Sequence, residues 1–342
     1  MAAEVTRTKE REFRSAIEAV IPSDELTTLE RPSWRATLAT LAVIWFEIAV
    51  LLAAANLLVR LPLVVALLAG TVVVCLIATR INALNVIMHE ASHGFLARSR
   101  TVNDRLCNMA ASWWMLHSVE EYRPTHRLHH RYLNSERDPD LVSYLVPDTR
   151  GGFARLVLQD LTGLTAFRRA LTLLKGGDPD ASGTRLSTGV LVGNLAGKAL
   201  AQVIVLGQFT LVQGWWTGFL LYAVFWLFPV LCLFPLILRL KTIAEHFDPR
   251  LRLPDELWVA RTSKAGRLQD HIVGAQMEYH FEHHVLPTIP FRGLKHLHRR
   301  LEEAGYFESL PADTRAELLS GGYARFVRSV SRPEARATEL VS

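Results

Sequence analysis

Residues 215–246 read WWTGFLLYAVFWLFPVLCLFPLILRLKTIAEH, and the fold is decided there. From Trp215 to Leu238 the chain is at its most apolar, carries no charge and is long enough to cross a bilayer. Trp215 and Trp216 stand at the start, where interfacial aromatics belong. Arg239 and Lys241 close the run, and Glu245 and His246 follow within two turns of helix. Other histidines at the same depth would make a site just outside the membrane.

Working outward, three more runs have this character. Ala36–Val59 is almost wholly apolar, with Glu47 inside it and expected to face the bundle interior. Arg60-Leu61-Pro62 makes a tight turn into Leu63–Thr79, which Arg80 ends. Gly189–Gln213 is apolar except for Lys198, expected to snorkel at the edge so that spanning begins near Ala199. Gly214 turns this run into the quoted one. The pattern predicts an all-α integral membrane protein with four transmembrane helices, at 36–59, 63–79, 190–213 and 215–238. Residues 1–35 are expected as a partly helical cytosolic tail, 36–300 as the membrane domain and 301–342 as a C-terminal cytosolic tail. Within 80–186, Met109–Leu116 and Phe153–Leu174 are too short or too charged to span and read as cap or interfacial helices. Lys175-Gly176-Gly177-Asp178-Pro179 reads as a loop.

The chain has 342 residues, half of them hydrophobic, and a net charge of +5. The turns between paired spans carry only Arg60, and nearly every other Lys and Arg lies on the opposite side. The positive-inside rule therefore places both termini and every histidine cluster in the cytoplasm. No basic stretch carries a nucleic-acid fold signature, which excludes that class of partner. The three cysteines, Cys75, Cys107 and Cys232, form no CxxC pair and read as small apolar side chains.

Thirteen histidines are present, and their spacing is not random. HRLHH at 126–130 and HFEHH at 280–284 share the pattern HxxHH, whose single chance occurrence here is on the order of a few per cent. HEASH at 89–93 puts His89 and His93 on one helix face, about 15 Å beyond Arg80 if the second span continues as a helix. Spacing i, i+3, i+4 lets each HxxHH box offer two or three nitrogens to a common centre. With His246, nine imidazoles suit two metal ions with four or five ligands each. Imidazole fits zinc, copper, iron and nickel alike. Ligating imidazoles need acceptors for their other nitrogen, and Glu90, Asp138, Asp140, Glu245 and Glu282 are at hand. His117, His271, His296 and His298 read as surface or hydrogen-bonded residues.

These residues together resemble a known family. HEASH, HRLHH followed by Asp138-Pro139-Asp140, Ala244-Glu245-His246 after the last span, and HFEHH followed by Pro287 and Pro290 look like the membrane fatty acid desaturase and hydroxylase superfamily. The resemblance covers about residues 36–300. It implies a di-iron centre in a cytosolic helical cap, O2 as co-substrate and two external electrons. It implies His89, His93, His126, His129, His130, His280, His283 and His284 as ligands, with His246 as the ninth. Box spacing differs from bacterial alkane hydroxylases, and His280 stands where front-end desaturases often have Gln. Met277-Glu278-Tyr279 precedes the third box, where many relatives have Asn.

The leading expectation is an O2-dependent desaturase acting on a fatty acyl chain or similar lipid. Rival expectations are a hydroxylase on the same scaffold and a desaturase of a small non-lipid metabolite. HEASH also matches the HExxH zinc protease signature, with Glu90 as general base, but that reading leaves both HxxHH boxes unexplained. The sequence has no haem-binding HxxC, flavin fingerprint or CxxC cluster. Electrons are expected from a separate protein, such as an acidic ferredoxin meeting the basic face.

Overall fold

The computed structural model describes residues 2–146, 150–174, 186–247, 259–263, 271 and 278–320. The 175–179 loop, Met277 and the segment after residue 320 lie outside these. Four helices are long and apolar enough to cross a membrane: α3 (Trp34–Leu58), α4 (Leu63–His93), α10 (Thr188–Gln213) and α11 (Trp215–His246). Two are longer than the apolar runs that predicted them. α4 continues past Arg80 to His93 without a break, and α11 continues past Arg239 to His246. Both carry their histidines out of the bilayer on rigid rods. Residues in α11 from Ala223 to Leu227 and from Pro229 to Leu233 form π turns, where Pro229 and Pro235 supply no N–H for regular α bonding.

α3 packs on α4 and α10 on α11 as two hairpins, and Ile48, Ile77, Phe209 and Trp226 are fully buried between them. Gly218 lets α11 cross α10 closely, since a Cβ there would lie 2.5 Å from the Thr210 backbone. Large apolar side chains such as Phe46, Leu67, Leu195 and Leu211 point outward and form the lipid-facing belt. Charged groups of the bundle helices find partners. Glu47 lies 2.8 Å from Arg80 and 2.9 Å from His271. Lys198, ten residues into α10, which starts at Thr188, bonds both carboxylate oxygens of Glu121 on the cap side at 2.8 Å.

The cap forms at one end. It contains α1 (Ala2–Val20), α2 (Ser23–Leu29), α5 (Arg100–Ala110), a 3-10 turn at Ser112–Met115, α6 (Val119–Tyr132) and α7 (Leu141–Tyr144). The expected 153–174 stretch is the pair α8 (Arg150–Leu161) and α9 (Leu164–Leu174). The third box forms α12 (His280–Val285), followed by α13 (Phe291–Glu303), α14 (Tyr306–Ser309) and α15 (Ala312–Leu318). A short parallel pairing joins Thr262–Ser263 to Leu319–Ser320. A second core holds the cap. Ile17 of α1 and Ile21 just after it pack with Phe281, Val285, Leu294 and Phe307, and the Phe13 ring meets Phe281 edge-on at 5.4 Å. The N-terminal segment is therefore docked on the third box.

Candidate metal centre

α4 ends at the first box. Gly94 takes φ +90°, its N–H reaches Ala91 O at 3.0 Å, and the Phe95 N–H reaches Glu90 O at 3.2 Å. This glycine-terminated cap leaves His89 and His93 stacked on the last turns. α6 starts at Ser118, whose hydroxyl accepts from the Glu121 N–H. Its buried Arg123 donates to Ser92 O at 3.0 Å, Ala91 O at 2.9 Å and Asp104 at 2.9 Å. Asn103 adds a bond to Ala91 O at 2.8 Å. The second box is thereby fastened to the end of the helix that carries the first.

The nine expected histidines converge, and they divide into two groups. His89, His93, His126, His130 and His283 form one; His129, His246, His280 and His284 form the other. Within each group the candidate ligand atoms lie within 4.8 Å of one another. Opposite nitrogens on one metal ion would be about 4.2 Å apart at an ordinary metal–nitrogen length. The boxes are shared crosswise. The second box gives its i and i+4 histidines to the five-membered group and its i+3 histidine, His129, to the other. The third box does the reverse: His280 and His284 join the four-membered group and His283 crosses over. His130 and His284 stack at 4.3 Å where the groups meet.

The donor atoms suit a cation. His126 Nε2 faces His93 Nε2 at 3.0 Å and His130 Nε2 at 3.1 Å, and His130 Nε2 faces His283 Nε2 at 3.0 Å. In the other group His280 Nε2 faces His246 Nε2 at 2.8 Å and His284 Nε2 at 3.1 Å. An imidazole nitrogen has one in-plane site, filled by a proton or a lone pair. That single site cannot point at two neighbours at once, so these chains of contacts cannot all be well-aligned hydrogen bonds. A central ion that accepts every lone pair removes the conflict. Both ring nitrogens of His89 are buried without a hydrogen-bond partner, which fits the same need. Burial holds His126, His130, His280, His283 and His284 well below the usual histidine range, so they are neutral donors at neutral pH. At His129 burial also lowers the pKa, but the charge and hydrogen bond of Asp138 outweigh it and push it up to about 9. An ion bound there would replace the Nε2 proton.

The outward nitrogens are held in turn. His129 Nδ1 meets both Asp138 oxygens, His246 Nδ1 meets Val259 O at 3.0 Å, and His126 Nδ1 meets the Tyr122 hydroxyl at 3.2 Å. Asp138 also accepts from the Tyr144 hydroxyl at 2.6 Å. Of the other acids named from sequence, Asp140 lies 3.9 Å from His129 Nδ1 and Glu245 lies 3.8 Å from His280 Nε2. Glu90 lies 3.8 Å from His89 Nδ1 and accepts the Phe291 N–H at 3.1 Å. Glu282 is directed elsewhere: its oxygens meet Thr262 and His298, anchoring α12 to α13. Arg123, Tyr122 and Tyr144 were not singled out by sequence. The signal for Arg123 is its charge one turn before the second box, on the side that faces the end of α4.

The remaining histidines join neither group. His298 bonds Glu282, His296 lies 3.3 Å from Glu25, His271 is at Glu47, and His117 packs against the Phe234 ring. The zinc protease reading fares poorly, because His89 and His93 share their group with three histidines from two other segments.

Two comparisons with known proteins agree with this geometry. The family model described as "Fatty acid desaturase" matches residues 63–315. The chain is also similar to dihydrorhizobitoxine desaturase of Bradyrhizobium elkanii, 28% identical over 246 residues that make up 68% of each chain. The chain belongs to the fatty acid desaturase family. Family and relative together define an oxidoreductase of the desaturase type, built into a membrane by four apolar helices.

Proposed function

We propose that the chain is an O2-dependent desaturase with two iron ions, one in each histidine group, that introduces a carbon–carbon double bond into a fatty acyl chain or similar lipid. The carrying observation is the crosswise partition of the three boxes and His246 into five and four converging imidazoles. His89, His93, His126, His130 and His283 would hold one ion; His129, His246, His280 and His284 would hold the other. Bound iron would supply activation of O2 for attack on an unactivated C–H bond. The protein's own part is to fix the imidazoles through Asp138, Val259 O, Tyr122 and Arg123, and to keep the centre inside a packed cap. The excess of Lys and Arg on the histidine side supports a cytoplasmic location for it and for both termini.

The relative's name favours a second reading of the substrate. It specifies dihydrorhizobitoxine and not a fatty acid. A small non-lipid metabolite is therefore carried as the alternative acceptor of the same chemistry.

One experiment separates these. The chain is expressed with a ferredoxin system in air beside a His129→Ala control, and lipid and soluble extracts are compared by mass spectrometry. Loss of two hydrogens from a lipid pool, only with the intact chain, supports the leading reading. The same loss in a soluble metabolite supports the second. Gain of one oxygen would replace desaturation by hydroxylation. Purified protein with a single zinc, active after His283→Ala, would overturn the di-iron proposal.

A further inference from the structure

Beside the metal groups lies a second set of polar side chains. Tyr122 stacks on His126 one turn further along α6, and its hydroxyl lies 3.2 Å from His126 Nδ1. Asp140, which opens α7, has a side chain 37% exposed and 3.9 Å from His129 Nδ1. His126 belongs to the five-membered group and His129 to the four-membered one, so Tyr122 and Asp140 back onto both. Arg169 of α9 shares this space: its charge is felt at His117, Tyr122 and Asp140. Arg169 is exposed to water, yet the protein around it is dense enough that burial pulls its pKa down. A side chain wetted and enclosed at once lines a recess and not the outer surface. His117 in the same wall is half-buried and meets the Phe234 ring of α11 edge-on at 6.3 Å.

The charges of this recess do not cancel in pairs. Lys198 takes both oxygens of Glu121. Arg169 forms no ion pair or hydrogen bond among the described residues, and Asp140, the acid whose charge acts on it most, stays out of contact. An enclosed guanidinium with free N–H groups is a site for an anion, and its planar fork matches a carboxylate. We infer that Arg169 anchors the carboxylate of the substrate in this recess, so that the substrate is taken as a free acid and not as an ester or thioester. The inference rests on the desaturase reading above and names the polar end of its substrate. Because the recess backs onto His126 and His129, the carbons presented to the metal groups are those close to the carboxylate. Small polar acids and free fatty acids share this chemistry, and chain length tells them apart.

The test uses full-length, metal-loaded protein in lipid nanodiscs. Hexanoate and octadecanoate are the probes, and their methyl esters are the neutral counterparts. Affinity is read without turnover, from the rise in melting temperature as each probe is titrated. The unaltered chain is compared with Arg169→Gln, Arg169→Lys and Arg168→Gln. Arg168 is exposed on the same helix but turned by about 100° from Arg169. Arg169→Gln is expected to bind the acids at least about tenfold more weakly and the esters no differently. Arg169→Lys is expected to fall between, and Arg168→Gln to match the unaltered chain. Binding of hexanoate supports a small acid; binding of octadecanoate alone supports a fatty acid. Equal acid affinity in Arg169→Gln would overturn the inference. So would a parallel loss of acid and ester, which marks a structural arginine, or an unaltered chain that binds neither acid. Failure of the desaturase reading shows separately, as an acid that binds through Arg169 but gains no double bond with a ferredoxin system in air.

Discussion

His129 Nδ1 lies 3.0 and 3.1 Å from the two carboxylate oxygens of Asp138, with both side chains buried. The contact fixes the ring so that its other nitrogen faces His246 and His284, whose ring centres are 4.8 and 5.1 Å away. It is the one carboxylate in full hydrogen-bond contact with a grouped histidine among the described residues. Asp138→Asn is therefore expected to weaken metal binding by about 10–100-fold, and Tyr144→Phe, which removes only the 2.6 Å bond behind Asp138, by less. Competition with a calibrated chelator measures both.

Crosswise sharing sets the metal stoichiometry of single-histidine variants. His93→Ala removes a member of the five-membered group only, and His246→Ala a member of the four-membered group only. Each is expected to lower bound metal from about two ions per chain toward about one, by elemental analysis after a brief chelator wash. His298→Ala serves as control: it belongs to neither group and is expected to keep both ions while losing stability through Glu282.

Arg123 is almost fully buried and is paired with Asp104 while it caps the carbonyls of Ala91 and Ser92. Arg123→Ala leaves the Asp104 carboxylate without that partner and frees two carbonyls at the end of α4. A loss of about 3–5 kcal/mol is expected, read as a fall in melting temperature in detergent. Metal should be lost from the five-membered group first, because His89 and His93 stand on the loosened turn.

Gly94→Ala probes the backbone alone. Nothing lies within 4 Å of the added Cβ, so the cost comes from φ +90°. About 1–2 kcal/mol of destabilisation is expected in thermal unfolding, without a packing defect to add to it.

Much of the architecture was legible because membranes impose simple rules on sequence. The four apolar runs fixed the spans, and their turns at 60–62 and 214 fixed which ends face together. The box spacings gave eight of the nine grouped histidines, since i, i+4 and i, i+3, i+4 are helical addresses, and the depth of His246 just past the last span gave the ninth. What sequence could not supply was pairing across distance. Glu47 was expected inside the bundle, but not that Arg80 and His271 meet it there. For Lys198 the sequence gave no partner, because Glu121 lies 77 residues away along the chain. Glu282 has the right position in its box, yet its direction depends on Thr262 and His298, which only the folded cap brings near. The assignment of each histidine to one group or the other was likewise out of reach, because it depends on how α6 and α12 oppose each other.

α1 rests on the third box, with Phe13 against Phe281 and Ile17 and Ile21 in the same core. In time, this means that α1, made before any of the four spans, must wait for the third box before it finds its place. Four spans have to be inserted in between. Contacts between such distant parts of a chain form late in folding. Assembly of the cap thus works as a completeness check: a chain cut short before residue 280 lacks the floor on which α1 settles, and also the three histidines that close both groups.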